Sequence, residues 1–412
     1  MKNSVLLKNI GLLVGVEDKP QAFKAGKDMR KLNVLSNAWV LVEGEKIAAY
    51  GQMNTCPETA TQVVDAAGRI VMPAFCDSHS HIVYAGNRAV EYIDKIRGLS
   101  YEEIAKRGGG ILNSVERLRK ATEDELYEQA LQRLNEMKTH GTGAVEIKSG
   151  YGLNAEAEIK MLRVIRRLKE TSPLTIRSTF LGAHAVPAEY KGRQTEYVDY
   201  IINEMIPMVA AEDLADYIDV FCDRGFFTVE DTDRMLNAGM KYGLRPKVHA
   251  NELDYSGGIQ VAVKYNALSV DHLEYTGDEE IACLLKSETM PTLLPGAAFF
   301  LGMVYAPARK MIDAGLPLAM ASDYNPGSCP SGNMQLVLSM GCIKYKLLPE
   351  EAINAVTHNS AYAMGVEDEL GTITKGKRAN LIVTTPLENI ESLPYSFGVN
   401  KVETLILSGK IQ

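Results

Sequence analysis

The chain has no Cys-x-x-Cys pair, and its six cysteines (Cys56, Cys76, Cys222, Cys283, Cys329, Cys342) are widely scattered. That spacing disfavours a zinc ribbon or a redox motif, and a reduced, cytoplasmic compartment is the expected setting. Also missing is any run near the roughly 18 apolar residues that a transmembrane helix needs. The N-terminal stretch is broken by Lys8, Asn9 and Gly11 and has no small-residue cleavage site, so it reads as a strand and not as a signal peptide. No membrane partner is expected. Nor is positive charge in excess: a formal net charge of -8 argues against a nucleic-acid partner. Disorder-prone composition is absent, since 46% hydrophobic and 23% charged residues are ordinary for a globular protein.

What is present begins with length. At 412 residues the chain accommodates a barrel of about 250 residues plus an accessory module. Residues 4–14, 39–42, 46–50 and 62–65 read as short strands, the middle pair joined by Glu43-Gly44-Glu45 in hairpin fashion. Stretches 371–383 and 402–410 look alike. Neither set is large enough for its own core, so residues 1–70 and 371–412 are expected to pair into one small β-sandwich.

Between them, over 71–370, strand and helix alternate. Apolar strand candidates are 70–76, 143–148, 175–182, 218–222, 246–250, 267–270, 290–294 and 318–321, with helical periodicity at 123–140, 155–171, 197–210, 229–242, 255–265, 279–286 and 305–314. Eight such strands predict an α/β fold of the (β/α)8 TIM-barrel type, with its active site at the C-terminal strand ends. The long segment 82–142 carries extra elements and the run Gly108-Gly109-Gly110 before a helix. Such a run serves either to bind an anion through backbone N–H groups or as a tight loop over the barrel mouth.

Of seven histidines, five fall at predicted strand ends. His79 and His81 end strand one; two residues apart, they share a strand face and their imidazoles can converge. His184 follows strand three, His249 ends strand five, His272 ends strand six, and Asp323 follows strand eight. His140 and His358 read as structural or solvent-facing. Three imidazoles and one carboxylate make a site for one divalent metal ion, zinc or iron, with an open position for water. A divalent cation can lower the pKa of its water to about 7, so the chemistry is hydrolytic. Glu252, three residues past His249, is placed to take a proton from that water and pass it to a leaving nitrogen.

Taken together, the stretches DSHSHIVYAGNR (77–88), RGGGILNSV (107–115), VEIKSGYGL (145–153), TFLGAHAVP (179–187), DVFCDRGFF (219–227), VHANEL (248–253), DHLEYT (271–276), SDYNPGSCP (322–330) and PYSFGVN (394–400) resemble the imidazolonepropionase family of the amidohydrolase superfamily. The resemblance covers nearly the whole chain. It implies hydrolytic opening of 4-imidazolone-5-propanoate to N-formimidoyl-L-glutamate, a step of histidine breakdown. By motif, His79, His81, His249 and Asp323 match the metal ligands, Glu252 the residue beside the metal's water, and His272 a histidine that polarises the attacked carbonyl. Arg88, Tyr151, His184, Asn325, Gly327 and Ser328 match substrate-contacting positions. The chain departs at Ser78, Ser80, Tyr324 and Asn380, none of them a metal ligand.

A propionate tail needs a cation at the barrel mouth, and Arg88, seven residues beyond His81, offers a bidentate fork. One rival reading is a deaminase or cyclic-amide hydrolase for another heterocycle. Some superfamily members bridge two metals with a modified lysine on strand four, but strand four here ends Phe221-Cys222-Asp223, and Lys148 ends strand two. The other rival is a barrel that serves only as an assembly scaffold, for which missing ligands would be the sign. A homodimer is compatible with the sequence, which identifies no interface.

Overall fold

The computed structural model describes residues 4–99 and 110–412. Phe75–Asp77, Thr142–Lys148, Thr175–Ala183, Tyr217–Cys222, Arg245–Ala250, Ser269–His272, Met290–Leu293 and Ala319–Met320 form one sheet in chain order. Every neighbouring pair is parallel. Past the ends of the first and last strands, Asp323 N donates to His79 O at 3.0 Å and His81 N to Tyr324 O at 2.9 Å. These bonds close the (β/α)8 barrel at its C-terminal rim, between segments that carry three expected site residues.

Helices Glu123–Thr139 and Val229–Lys241 start at capping boxes built on Thr122 and Thr228, which satisfy N–H groups that a helix leaves unpaired. Met334–Lys344 is a helix that periodicity does not reveal. Seven of its residues are buried, from Met334 to Gly341, so it lacks the amphipathic stripe of a surface helix.

The run 70–76, expected as one strand, is two. Ile70–Pro73 pairs with Ser4–Val14 and Leu381–Thr384 in the terminal sheet, whereas Phe75–Asp77 opens the barrel. Pro73 has no N–H to continue a ladder. Beyond it the chain changes partners, with Ala74 N bonding Asn380 O at 2.9 Å and Phe75 N bonding Gly141 O at 3.0 Å. Burial of both segments hides this break, because one apolar run reads the same in either sheet.

The two chain ends do pair. Their strands make one eight-stranded sheet in which Val34–Glu43 and Lys46–Gln52 extend from Ser4–Val14 on one side, and Val402–Leu407 and Lys410–Ile411 from Leu381–Thr384 on the other. The sheet folds back on itself: Ile47 N bonds Lys377 O and Ala379 N bonds Glu45 O, at 2.9 and 2.8 Å. Val5, Leu7, Val40, Ile47, Leu381 and Ile406 fill the core thus enclosed. Asn380 ties this sheet to the barrel, its Nδ2 donating to Gly143 O at 3.2 Å.

Candidate metal centre and catalytic pocket

His79 and His81 extend the first barrel strand and His249 lies on the fifth. Their Nε2 atoms converge, His81 lying 3.2 Å from His79 and 3.4 Å from His249. Asp323 Oδ1 stands 3.6 Å from Nε2 of both His79 and His81. Four ligand atoms of the right chemistry thus share one buried spot. Burial, with the charges of neighbouring groups, pushes the His79 and His81 imidazoles well below their ordinary pKa, which keeps them neutral and able to coordinate. This donor set fits a divalent metal.

Beneath the ligands lies a layer of charge that sequence reasoning missed. His79 Nδ1 contacts Asp271 Oδ2 at 2.6 Å, and His249 Nδ1 lies 3.0 Å from Asp219 Oδ2. Carboxylates behind the ligand histidines fix the tautomer and ring orientation that leave Nε2 free for the metal. Lys148 Nζ sits between them, 2.8 Å from Asp219 Oδ2 and 3.7 Å from Asp271 Oδ2, and bonds Glu146 at 2.6 Å. Lys247 pairs with the other oxygen of Glu146. Burial raises the Asp219 carboxyl, yet His249 and Lys148 outweigh it and hold the group well below the usual range. A signal for this layer exists in the sequence: Glu146-x-Lys148, Asp219, Lys247-x-His249 and Asp271 place charges at period two inside otherwise apolar strands.

Glu252 is reached through a turn in which Asn251 takes φ 55°. Asp223 Oδ2 accepts from Glu252 N at 2.7 Å and Leu253 N at 2.9 Å, pinning that turn. Burial, then the charges of Asp323 and Asp223, push the Glu252 carboxyl up to about 8. Its Oε2 lies 3.7 Å from His272 Nε2. Asp323 itself rises to about 6, chiefly by burial.

A cavity of about 690 Å³ opens over this centre, lined by Arg88, Tyr151, His184, Glu252, Asn325 and Ser328 among others. His184 stacks on His81 at 5.2 Å, and its Nδ1 bonds Gly150 O at 3.0 Å. It faces the pocket. Arg88 is no surface residue, since its side chain is 9% exposed and ion-pairs with Glu91 at 2.7 Å. Glu91 in turn accepts from Gly110 N at 3.0 Å. Gly108 and Gly109, for which anion binding was one reading, lie outside the described residues. Asn325 Nδ2 donates to Asp323 O and Ser328 Oγ, while its Oδ1 accepts from Gly327 N and Ser328 N. Its hydrogen-bonding capacity is therefore spent shaping the loop. His358 bonds Gln21 O at 2.7 Å and His140 caps its own helix, both away from the pocket.

The amidohydrolase family model matches residues 70–411. Imidazolonepropionase of Christiangramia forsetii is 53% identical over 409 residues, spanning 99% of this chain and 100% of that protein. Its counterpart in Alkaliphilus oremlandii is 42% identical over 418 residues, spanning 100% and 98%. The chain belongs to the imidazolonepropionase branch of the amidohydrolase family. Among solved structures, 5-methylcytosine deaminase from Klebsiella pneumoniae superposes with TM-score 0.74 at 16% identity, covering 98% of this chain and 97% of that one. Triazine hydrolase from Arthobacter aurescens gives 0.73 at 16%, covering 100% and 94%. These two share the barrel and its terminal sheet arrangement as a fold.

Within this imidazolonepropionase-type pocket, the loop bearing Tyr151 hangs on one carboxylate. Glu158, fully buried, accepts from Gly150 N, Gly152 N and Leu153 N at 3.1, 2.7 and 2.9 Å. Gly150 has φ 111°, and a Cβ there would meet His184 Nδ1 at 2.9 Å, so loop and histidine are packed against each other. Glu158→Leu strands three buried donors and should lower unfolding stability by roughly 2–5 kcal/mol. Denaturant titration of the metal-loaded protein measures this, and an unchanged midpoint contradicts the loop's dependence on Glu158.

Proposed function

We propose that the protein hydrolyses the ring amide of 4-imidazolone-5-propanoate to N-formimidoyl-L-glutamate, in the cytoplasm, as a step of histidine degradation. The observation that carries this is the meeting of three convergent histidines with Asp323 beside them, the buried carboxyl of Glu252 and a buried arginine in one pocket of a chain 53% identical to an imidazolonepropionase. His79, His81, His249 and Asp323 would hold one divalent metal, zinc or iron, which would supply Lewis-acid activation of water and of the ring carbonyl.

The remaining steps belong to side chains. Glu252 takes the proton from the attacking water and returns that proton to the ring nitrogen as the C–N bond breaks. The carbonyl carbon leaves as a carboxylate, and the nitrogen as the formimidoyl N–H. His272, 3.7 Å from Glu252, polarises the carbonyl oxygen. Arg88 receives the propionate. Its Nε and Nη2 edge is committed to Glu91, so the terminal Nη1 side meets the substrate beside Gly327. Tyr151, His184 and Ser328 line the remaining wall.

Glu252→Gln keeps the shape but cannot accept the proton, so kcat should fall by roughly 10²–10⁴. Elemental analysis should find one metal per chain before and after the change. Turnover near wild type would move the proton transfer to Asp323 or His272, and two metals per chain would break the mononuclear assignment. Arg88→Ala should raise KM by an amount equivalent to about 2–3 kcal/mol, with a smaller effect on kcat. Wild type should discriminate strongly against an imidazolone lacking the carboxylate, and the variant should not. Equal discrimination by both would place the specificity-bearing cation elsewhere and favour another heterocycle.

A further inference from the structure

His272 is held differently from the ligand histidines. It and Leu273 have φ of 85° and 71°, left-handed values that non-glycine residues seldom adopt and that persist only where the surroundings impose them. This turn brings Glu274 back behind the ring, its Oε2 3.8 Å from His272 Nδ1. Glu274 has a side chain 1% exposed. Both its oxygens, His272 Nδ1 and the Tyr345 hydroxyl are buried without a hydrogen-bond partner among the described residues. After burial, Glu274 is the largest influence on that hydroxyl.

Orphan atoms of complementary type in one place call for an explanation. The gap to Nδ1 is about 1 Å longer than a hydrogen bond, within reach of a side-chain rotation. We propose that the Glu274 carboxyl donates a hydrogen bond to His272 Nδ1, fixing the imidazole as the tautomer that carries its proton on Nε2, toward the pocket. Glu274 is then a positioning residue that acts through His272, and the inference rests on the role given to His272 above.

The contrast with the ligand histidines supports it. Asp271, hydrogen-bonded to His79 Nδ1, and Asp219, 3.0 Å from His249 Nδ1, both have Lys148 beside them, and the two rings they stand behind turn Nε2 toward the metal site. Glu274 is influenced instead by the carboxyls of Glu252, Asp323 and Asp223, which, after burial, raise its pKa well above the usual value. A buried carboxyl with other carboxyls around it keeps its proton. It donates where the aspartates accept, and the ring in front of it becomes a donor to a carbonyl oxygen instead of a ligand.

The test compares zinc-loaded wild type, Glu274→Leu, Glu274→Gln and His272→Gln by steady-state kinetics and by ¹⁵N NMR of labelled histidine. His272→Gln also assigns the signal. Glu274→Leu should lower kcat roughly 10–100-fold with KM and zinc content little changed, and its His272 signal should show mixed tautomers. Glu274→Gln, whose amide can still donate, should recover most of kcat and the Nε2–H signal. Wild-type kcat in Glu274→Leu, an Nδ1–H tautomer in wild type, or Glu274→Gln as impaired as Glu274→Leu would each overturn the proposal while leaving the hydrolase reading intact. Full activity in His272→Gln would remove the role of His272 itself, and this proposal with it.

Discussion

The Lys148 ammonium, fully buried between Asp219 and Asp271, is the contact on which the centre depends. A barrel interior is ordinarily packed with branched apolar side chains in layers. Here three carboxylates and two ammonium groups occupy one of those layers, with Glu146 joining Lys148 to Lys247. Removing one partner from such a buried set leaves an uncompensated charge, typically at a cost of about 3–5 kcal/mol. Well-packed apolar residues would serve stability as well or better, so the network is retained for orientation. Each aspartate that Lys148 holds stands behind a ligand imidazole, and ring direction is set one layer below the metal site.

Above that layer, the rim is shaped by backbone strain. Asn251, His272, Leu273 and Asp323 all have positive φ, between 52° and 85°. They lie at the ends of the fifth, sixth and eighth barrel strands, where Glu252, His272 and Asp323 must leave the pleat and turn inward. A strand alone sends alternate side chains to opposite faces, and a left-handed residue at its end re-aims them. The rigid barrel holds these conformations in place. It supplies what the local sequence would not adopt alone.

Much of this was legible in the sequence because two periodicities differ so plainly. Apolar strands at regular intervals gave the barrel, and histidines and an aspartate at their ends gave the rim cluster that the structure brings together. The division at Pro73 was hidden, since both halves of the run are buried. The helix Met334–Lys344 was hidden for the same reason. Glu274, Glu91 and Glu158 were invisible because each acts on a neighbour's backbone or ring through a turn whose geometry no spacing rule encodes. The charged layer was different: period-two charges inside apolar strands were there to be read, and setting Lys148 aside as misplaced for a metal bridge left its part beneath the centre unread.

Recognition of an anionic substrate by a chain of net charge -8 must then be a local matter. Long-range attraction is unfavourable, and exposed charges beyond about 8–10 Å are screened at physiological salt in any case. Arg88 is already paired with Glu91, which lowers the field it projects but fixes its guanidinium plane. What it presents to the pocket is therefore geometry, the remaining N–H donors set at a fixed angle beside Gly327, where any Cβ would lie 2.1 Å from Nη1. Preorganisation of this kind reduces the entropy lost when a substrate binds. The same logic governs the whole pocket: carboxyls fix histidines, Asp223 fixes the Glu252 turn, and Glu91 fixes the arginine. Each of these pocket groups is held in place by a neighbouring carboxyl.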